Sequence, residues 1–212
     1  MNTAATESGL RAWLLRPQVL DRIEQLAIVV LWCPFAWRML GSTNPYASAV
    51  MLSEFAVLIF TLLRRPTTAI SVNLGDWLLA STATLAPLLL IPADDSFPSL
   101  ANFGLFLLLV GNVWQCAAKL VLRRSFGIAP ANRGVKVNGP YRYMRHPMYA
   151  GYLFVHIGAL VLMFSWHNLL IYLIGWAAQI RRLLAEERLL SQDPVYAAYM
   201  GEVRWRLLPG IF

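Results

Sequence analysis

Charge is what this sequence has least of. Only 14% of its 212 residues are Asp, Glu, Lys or Arg, while 58% are hydrophobic. Soluble globular chains carry about a quarter charged residues, so an ordinary water-soluble domain is excluded, and so is a disordered chain. The composition points to an integral membrane protein. Cysteine is nearly as scarce. Cys33 and Cys116 are the two, and each lies inside an apolar run, which leaves no basis for a disulfide framework, a Cys-x-x-Cys redox pair or a cysteine zinc site. No cleavable signal pattern, internal repeat or low-complexity segment stands out, and the halves differ too much for an inverted-repeat transporter.

What is abundant is apolar runs of membrane-spanning length. They fall at about 23–40, 47–63, 77–92 and 100–122, and two shorter ones follow at 149–164 and 169–180, separated by Ser165-Trp166-His167-Asn168. A helix needs roughly 17 to 25 residues to cross hydrocarbon. The expectation is therefore an all-α polytopic membrane protein: four transmembrane helices, a C-terminal helical hairpin giving five to six spans in all, and a cytoplasmic tail from Arg181 to Phe212. Residues 1–22, with Leu10, Arg11, Trp13, Leu14, Arg16 and Arg22, read as an interfacial segment before the first span. Residues 1–125 form the N-terminal membrane region and 126–212 the loop, hairpin and tail.

The net charge of +7 does not mark a nucleic-acid binder, because the basic residues lie between the apolar runs. With alternating spans, all of the 18 Lys and Arg except Arg38 fall on one side, Arg64, Arg65, Arg123, Arg124 and Arg133 among them, while Asp94 and Asp95 fall on the other. Cytoplasmic segments retain positive charge, so both termini are expected in the cytoplasm. Short loops and the lack of long soluble appendages suggest a bacterial inner membrane.

Polar residues within the runs narrow the search for a site. Glu54 lies mid-span, where a carboxylate needs a partner or a cavity; a relay or substrate contact competes with a paired packing residue. Asn112, Gln115 and Lys119 share one face of the fourth helix, explicable by interhelical hydrogen bonds and a snorkelling lysine. His156, seven residues beyond Tyr149, reads as a core histidine.

The densest polar chemistry is in Gly139-Pro140-Tyr141-Arg142-Tyr143-Met144-Arg145-His146-Pro147-Met148-Tyr149-Ala150-Gly151. Pro147 suits the first turn of a helix, which puts His146 at its N-terminus, where free amides and the dipole favour an anionic group. Arg145 adds a permanent planar cation. At the far end of the hairpin, Gln179, Arg182 and Glu186 fall on one helical face, with Glu187 beside them. A hairpin brings its two ends together, so this face is expected near His146.

Taken together with Glu186-Glu187-x-x-Leu190, Tyr196-x-x-Tyr199 and Arg206-Leu207-Leu208-Pro209, the stretch resembles membrane methyltransferases of the isoprenylcysteine carboxyl methyltransferase type, with phospholipid N-methyltransferases as more distant relatives. The resemblance covers roughly 130–212. It implies S-adenosyl-L-methionine as methyl donor, bound on the cytoplasmic side by Tyr141, His146, Pro147, Met148, Tyr149 and Glu186, with Val135 and Lys136 as neighbours. Arg145, Arg182 and Glu187 would serve the methyl acceptor. That acceptor is expected to be a lipophilic small molecule or lipid-modified group, carboxylate or thiol, drawn from among the membrane lipids. Methyl transfer from a sulfonium needs alignment and exclusion of water more than acid–base chemistry when the acceptor is an anion. A phospholipid or amine N-methyltransferase, a sterol-reductase-like enzyme using a nicotinamide cofactor and a non-catalytic scaffold stay as alternatives. The reductase tail differs, being rich in Arg and Cys.

Overall fold

In the computed structural model, residues 16–63, 73–93, 97–122 and 135–212 are described. Among them are seven α-helices: α1 Pro17–Leu40, α2 Ala47–Leu62, α3 Leu74–Leu85, α4 Ala101–Leu122, α5 Pro147–Leu162, α6 Trp166–Leu190 and α7 Pro194–Glu202. The chain is all-α. The interfacial residues 1–15, the arginines at 64, 65, 123, 124 and 133, and Asp94 and Asp95 lie outside the described residues.

Each of the six apolar runs becomes a helix or a helix with an irregular extension. Gln18–Leu40 and Pro98–Leu122 are long and apolar enough to cross a membrane, and Ala47–Leu62 and Pro147–Leu162 are shorter apolar helices. At 1.5 Å per residue, the 16 residues of α2 or α5 reach about 24 Å, short of a hydrocarbon core of about 30 Å. The third run differs from expectation. It forms only 12 helical residues before a 3-10 turn at Ala86–Leu89 and extended backbone, because Pro87 cannot donate the amide that a continuing helix needs. The last run differs in the opposite way. Helix α6 is 25 residues long and runs on beyond the apolar stretch through Arg181 to Leu190, the continuation that puts Gln179, Arg182 and Glu186 on one face.

Irregular backbone in an apolar setting must find hydrogen-bond partners, and side chains supply them for 88–93, His167 Nε2 meeting Leu89 O at 3.1 Å among them. Arg38 donates to Leu88 O at 2.7 Å, and Asn44 Nδ2 to Ala93 O at 2.7 Å and Leu162 O at 3.1 Å. Asn168 pairs with both Ile91 N and Ile91 O, at 3.1 and 2.9 Å.

The most extensive helix contact is α4 against α5. Glycines allow it: a Cβ on Gly111 would meet Gly151 O at 2.7 Å, and one on Gly158 would meet Gly104 O at 2.5 Å. Small residues at such crossings let backbones approach where lipid gives no hydrophobic drive. Gly151, the last residue of the polar motif, is thus a packing residue. The remaining core joins Phe35 and Met39 of α1, Val50 and Leu58 of α2, Leu108 of α4, Leu162 of α5 and Tyr172 of α6. Outward faces stay apolar, with Trp37 81%, Val113 72% and Leu52 66% exposed, as befits helices that face lipid.

Candidate functional site

The polar motif begins with a turn. Gly139 has φ of +60°, a conformation that L side chains rarely adopt, and it opens a 3-10 turn over Gly139–Arg142. The chain then reaches His146, the N-cap of α5, with Pro147 in the first turn. The helix start expected from the sequence is therefore present, and His146 and Arg145 are each buried to 6% exposure.

The far end of the hairpin does return to this turn, and the two halves meet through Glu186, Glu187 and Arg182. Tyr149 donates its hydroxyl to Glu186 Oε2 at 2.7 Å. The guanidinium of Arg182 lies 5.3 Å from the Tyr149 ring centroid, and the His146 ring stacks on the same Tyr149 ring at 5.4 Å with an interplanar angle of 3°. Tyr141 and Met148 pack with Tyr149 and Leu183 in one cluster. Val135 is half-buried and Lys136 exposed, both outside any helix and ahead of the turn.

Glu187 is the hub of a clasp. Its Oε1 accepts from Arg145 Nε at 2.6 Å and faces His146 Nε2 at 3.2 Å, while its Oε2 accepts from Arg206 Nε at 2.8 Å. A carboxylate only accepts, so Nε2 is the ring nitrogen that carries hydrogen here. Burial alone would raise the Glu187 pKa; the hydrogen bonds from His146, Arg145 and Arg206 outweigh it and hold the carboxyl well below its ordinary range. Arg145 Nη1 also donates to Val203 O at 2.8 Å and Arg204 O at 3.1 Å. The tail backbone joins in, Arg145 N donating to Trp205 O at 2.9 Å and His146 N to Arg206 O at 2.8 Å. The Tyr199 hydroxyl closes the other side by donating to Tyr141 O at 2.7 Å. Burial pushes the Tyr199 phenol up to about 12, and burial together with the Glu186 charge raises that of Tyr141 well above 10, so both hydroxyls stay protonated donors near neutrality.

A second polar region lies deeper, between the helices. Arg182 donates from Nη1 to Thr84 Oγ1 of α3 at 3.1 Å and lines a cleft with Glu54, Tyr152, His156 and Gln179. On α4, Lys119 Nζ donates to Gln115 Oε1 at 2.7 Å, Gln115 to Asn112 Oδ1 at 2.9 Å, and Asn112 to Ser53 Oγ of α2 at 2.6 Å. Lys119 has no exposed surface, so it does not snorkel; its ammonium lies 4.9 Å from the Tyr152 ring centroid and 5.5 Å from that of Phe60.

Sequence reasoning brought together Tyr141, Arg145, His146, Pro147, Met148, Tyr149, Arg182, Glu186 and Glu187, and the fold gathers them as well. It passed over Thr84, Arg206 and Tyr196. Arg206 carried a signal, since it stands in the quoted tail motif. Tyr196 stood in another, and its buried hydroxyl has no hydrogen-bond partner among the described residues. Thr84 carried none, being one hydroxyl in an apolar run.

Comparison with known proteins adds to this geometry. Residues 100–197 match the family model of phospholipid methyltransferases. That stretch of the chain is similar to phospholipid methyltransferases. The chain is also similar to protein-S-isoprenylcysteine O-methyltransferase A of Arabidopsis thaliana, 29% identical over 121 residues that make up 54% of this chain and 61% of that protein. The chain thus matches less than two thirds of that relative's length. The match runs from the start of α4 into α7, so it contains the turn, α5, α6 and the residues Arg145 to Glu187. The family is one of membrane methyltransferases, and with its apolar helices the chain is an integral membrane protein.

Proposed function

We propose that the protein is an S-adenosyl-L-methionine-dependent methyltransferase acting on a lipophilic acceptor that bears a carboxylate, as in an isoprenylcysteine, or a thiol. The observation that carries this reading is the contact of the two motif halves at Tyr149, whose hydroxyl binds Glu186 and whose ring lies beside Arg182. Four spans and the α5–α6 hairpin hold residues 126–212 against 1–125, with both termini in the cytoplasm of a bacterial cell and the protein in its inner membrane.

The residues fit such a donor. A cationic sulfonium is attracted to aromatic faces and to a carboxylate, and Tyr149, His146 and the half-buried Glu186 offer both. The amino and carboxylate groups of the donor's methionine end call for polar partners, and the Tyr196 hydroxyl is a buried one in want of a bond. Tyr141, His146, Pro147, Met148, Tyr149 and Glu186 would hold the donor, with Val135 and Lys136 at its edge. The bound donor supplies an activated methyl group. Arg182 orients the acceptor, and the cleft beyond it excludes water. Arg145 and Glu187 act differently from the sequence expectation in this reading, as positioning residues, since their polar atoms are engaged with each other and with the tail.

Two measurements test the proposal on purified full-length protein. Calorimetry should detect S-adenosyl-L-methionine binding that Glu186→Ala weakens. Incubation with methyl-labelled donor and a membrane extract should label a lipid-soluble fraction. Absence of donor binding would defeat the reading, and so would label confined to no fraction at all.

A further inference from the structure

The turn before α5 and the tail carry charge of one sign. Residues 135–151 hold Lys136, Arg142 and Arg145, and residues 203–212 hold Arg204 and Arg206, with no Asp or Glu in either segment. Glu187 takes Arg145 and Arg206. Lys136, Arg142 and Arg204 are exposed and pair with no carboxylate among the described residues. The guanidinium of Arg204 lies 4.9 Å from the Trp205 ring centroid. Large side chains with apolar bodies stand open in the same segments, Tyr143 at 64% exposure and Ile211 at 78%. None of these exposed side chains takes part in the Glu187 clasp.

Both segments lie at the end of a helix long and apolar enough to cross a membrane. Tyr141 of the turn and Leu207 of the tail pack in one cluster with Ala118, Val121 and Leu122, which close α4. A Cβ on Gly139 would meet Val121 Cγ2 at 3.0 Å, so the turn rests on that helix end. Arg145 N and His146 N then bond the turn to Trp205 O and Arg206 O of the tail. The turn and tail are thereby held where hydrocarbon gives way to headgroups.

Exposed apolar side chains among cations mark an interaction surface. At a helix end the surface they fit is the bilayer itself: tyrosine, tryptophan and aliphatic groups settle at headgroup level, and Lys and Arg are drawn to anionic lipid. We propose that the turn and tail form a collar that docks on the anionic headgroups of the leaflet in which α4 ends. Arg142, Arg204 and Lys136 face the headgroup phosphates, Tyr143 and Ile211 enter the boundary layer, and the contact holds the tail against the turn. This docking is independent of what the site transfers, so it stands or falls apart from the methyltransferase reading.

The test uses full-length protein in nanodiscs of phosphatidylcholine, neutral overall, and of phosphatidylglycerol with matched acyl chains, read by hydrogen exchange of the amides of 203–212. Each cation held at an anionic surface counts for about a fivefold factor, so these amides should exchange roughly 5- to 100-fold more slowly in the anionic discs. Those of α4 should not change. Salt at about 1 M should erase the difference by shrinking the Debye length to about 3 Å. Arg142→Gln combined with Arg204→Gln should remove most of it, with α4 exchange as in the parent showing that the variant is folded. Ile211→Ser should speed exchange in both discs alike, because apolar insertion does not depend on headgroup charge. Equal exchange in the two discs would overturn the proposal, and so would a difference that survives high salt or the double substitution. Should the double variant misfold, the two lipids and the salt series on the parent protein decide.

Discussion

Two glutamates, both buried and both close to cations, sit in opposite situations. Glu187 has both oxygens engaged, by Arg145, His146 and Arg206, and ties the turn before α5 to α6 and the tail. Glu54 lies against a cleft that Thr84, Gln179 and Arg182 also line, where Gln179 Nε2 has no partner among the described residues. A polar cluster in which every member is satisfied rigidifies a fold, whereas a buried polar group without a partner calls for an explanation. The difference separates residues that hold the site together from those that face what enters it.

The contrast is broken most directly at Glu187. Removing its carboxylate with Glu187→Ala leaves the Arg145 guanidinium buried beside two carbonyls, and one-sided disruption of a buried pair costs about 3 to 5 kcal/mol. Most of that comes from Arg145 and His146, since the Arg206 side chain is a third exposed and solvent screens it. The expected outcome is a large drop in thermal stability with protease cleavage of the freed segment 191–212. Glu54→Gln, at a cleft wall, should shift the melting temperature far less. Equal destabilisation by the two would erase the distinction.

The next effect separates donor binding from the clasp. Tyr149→Phe keeps the ring beside Arg182 and His146 but removes the hydroxyl that binds Glu186 at 2.7 Å. A hydrogen bond to a charged group is worth about 1.5 to 3 kcal/mol, so donor affinity should fall roughly ten- to a hundredfold. Thermal stability in the absence of donor should fall less than in Glu187→Ala. If both variants lost stability equally with donor affinity untouched, Tyr149 would belong to the clasp.

How much of this was legible in the sequence follows from the physics of each part. The helices were, because apolar runs of spanning length have one solution in lipid. The N-cap position of His146 was, because Pro147 marks a first turn. The end of α6 at Leu190 was only partly legible: the spacing of Gln179, Arg182 and Glu186 suited a helix running past Ile180, but hydropathy, which ends there, could not say how far it goes. The partners of Arg145 were not legible either. An arginine next to a site motif looks like an acceptor contact, and only the fold shows Val203, Arg204 and Glu187 around it. The cleft at Glu54 depends on four helices distant in sequence, so a lone mid-span glutamate could mark its existence but not its company.

A smaller effect tests the other side of the clasp. Tyr199→Phe deletes the hydroxyl that donates to Tyr141 O at 2.7 Å, leaving a buried carbonyl short of a partner at a cost of about 1 kcal/mol. Melting should shift slightly, and donor affinity should fall only as far as the Tyr141 turn loosens.

The smallest effect is read with acid, and its sign is fixed by Glu187. The folded carboxyl is held below its ordinary value of 4.5, so its contribution to stability is complete above that value. It is lost as pH falls from there toward the depressed folded pKa, because the unfolded chain takes up a proton first. Between neutrality and about pH 5.5 the clasp should therefore be unchanged. Below 4.5, protease sensitivity of the tail should rise, and Glu187→Gln, which cannot titrate, should show a tail already loosened and no such rise. A rise of equal size in Glu187→Gln would assign the acid response to some other carboxyl. Glu54→Gln should leave the response as it is in the parent, because Glu54 faces the cleft and not the tail.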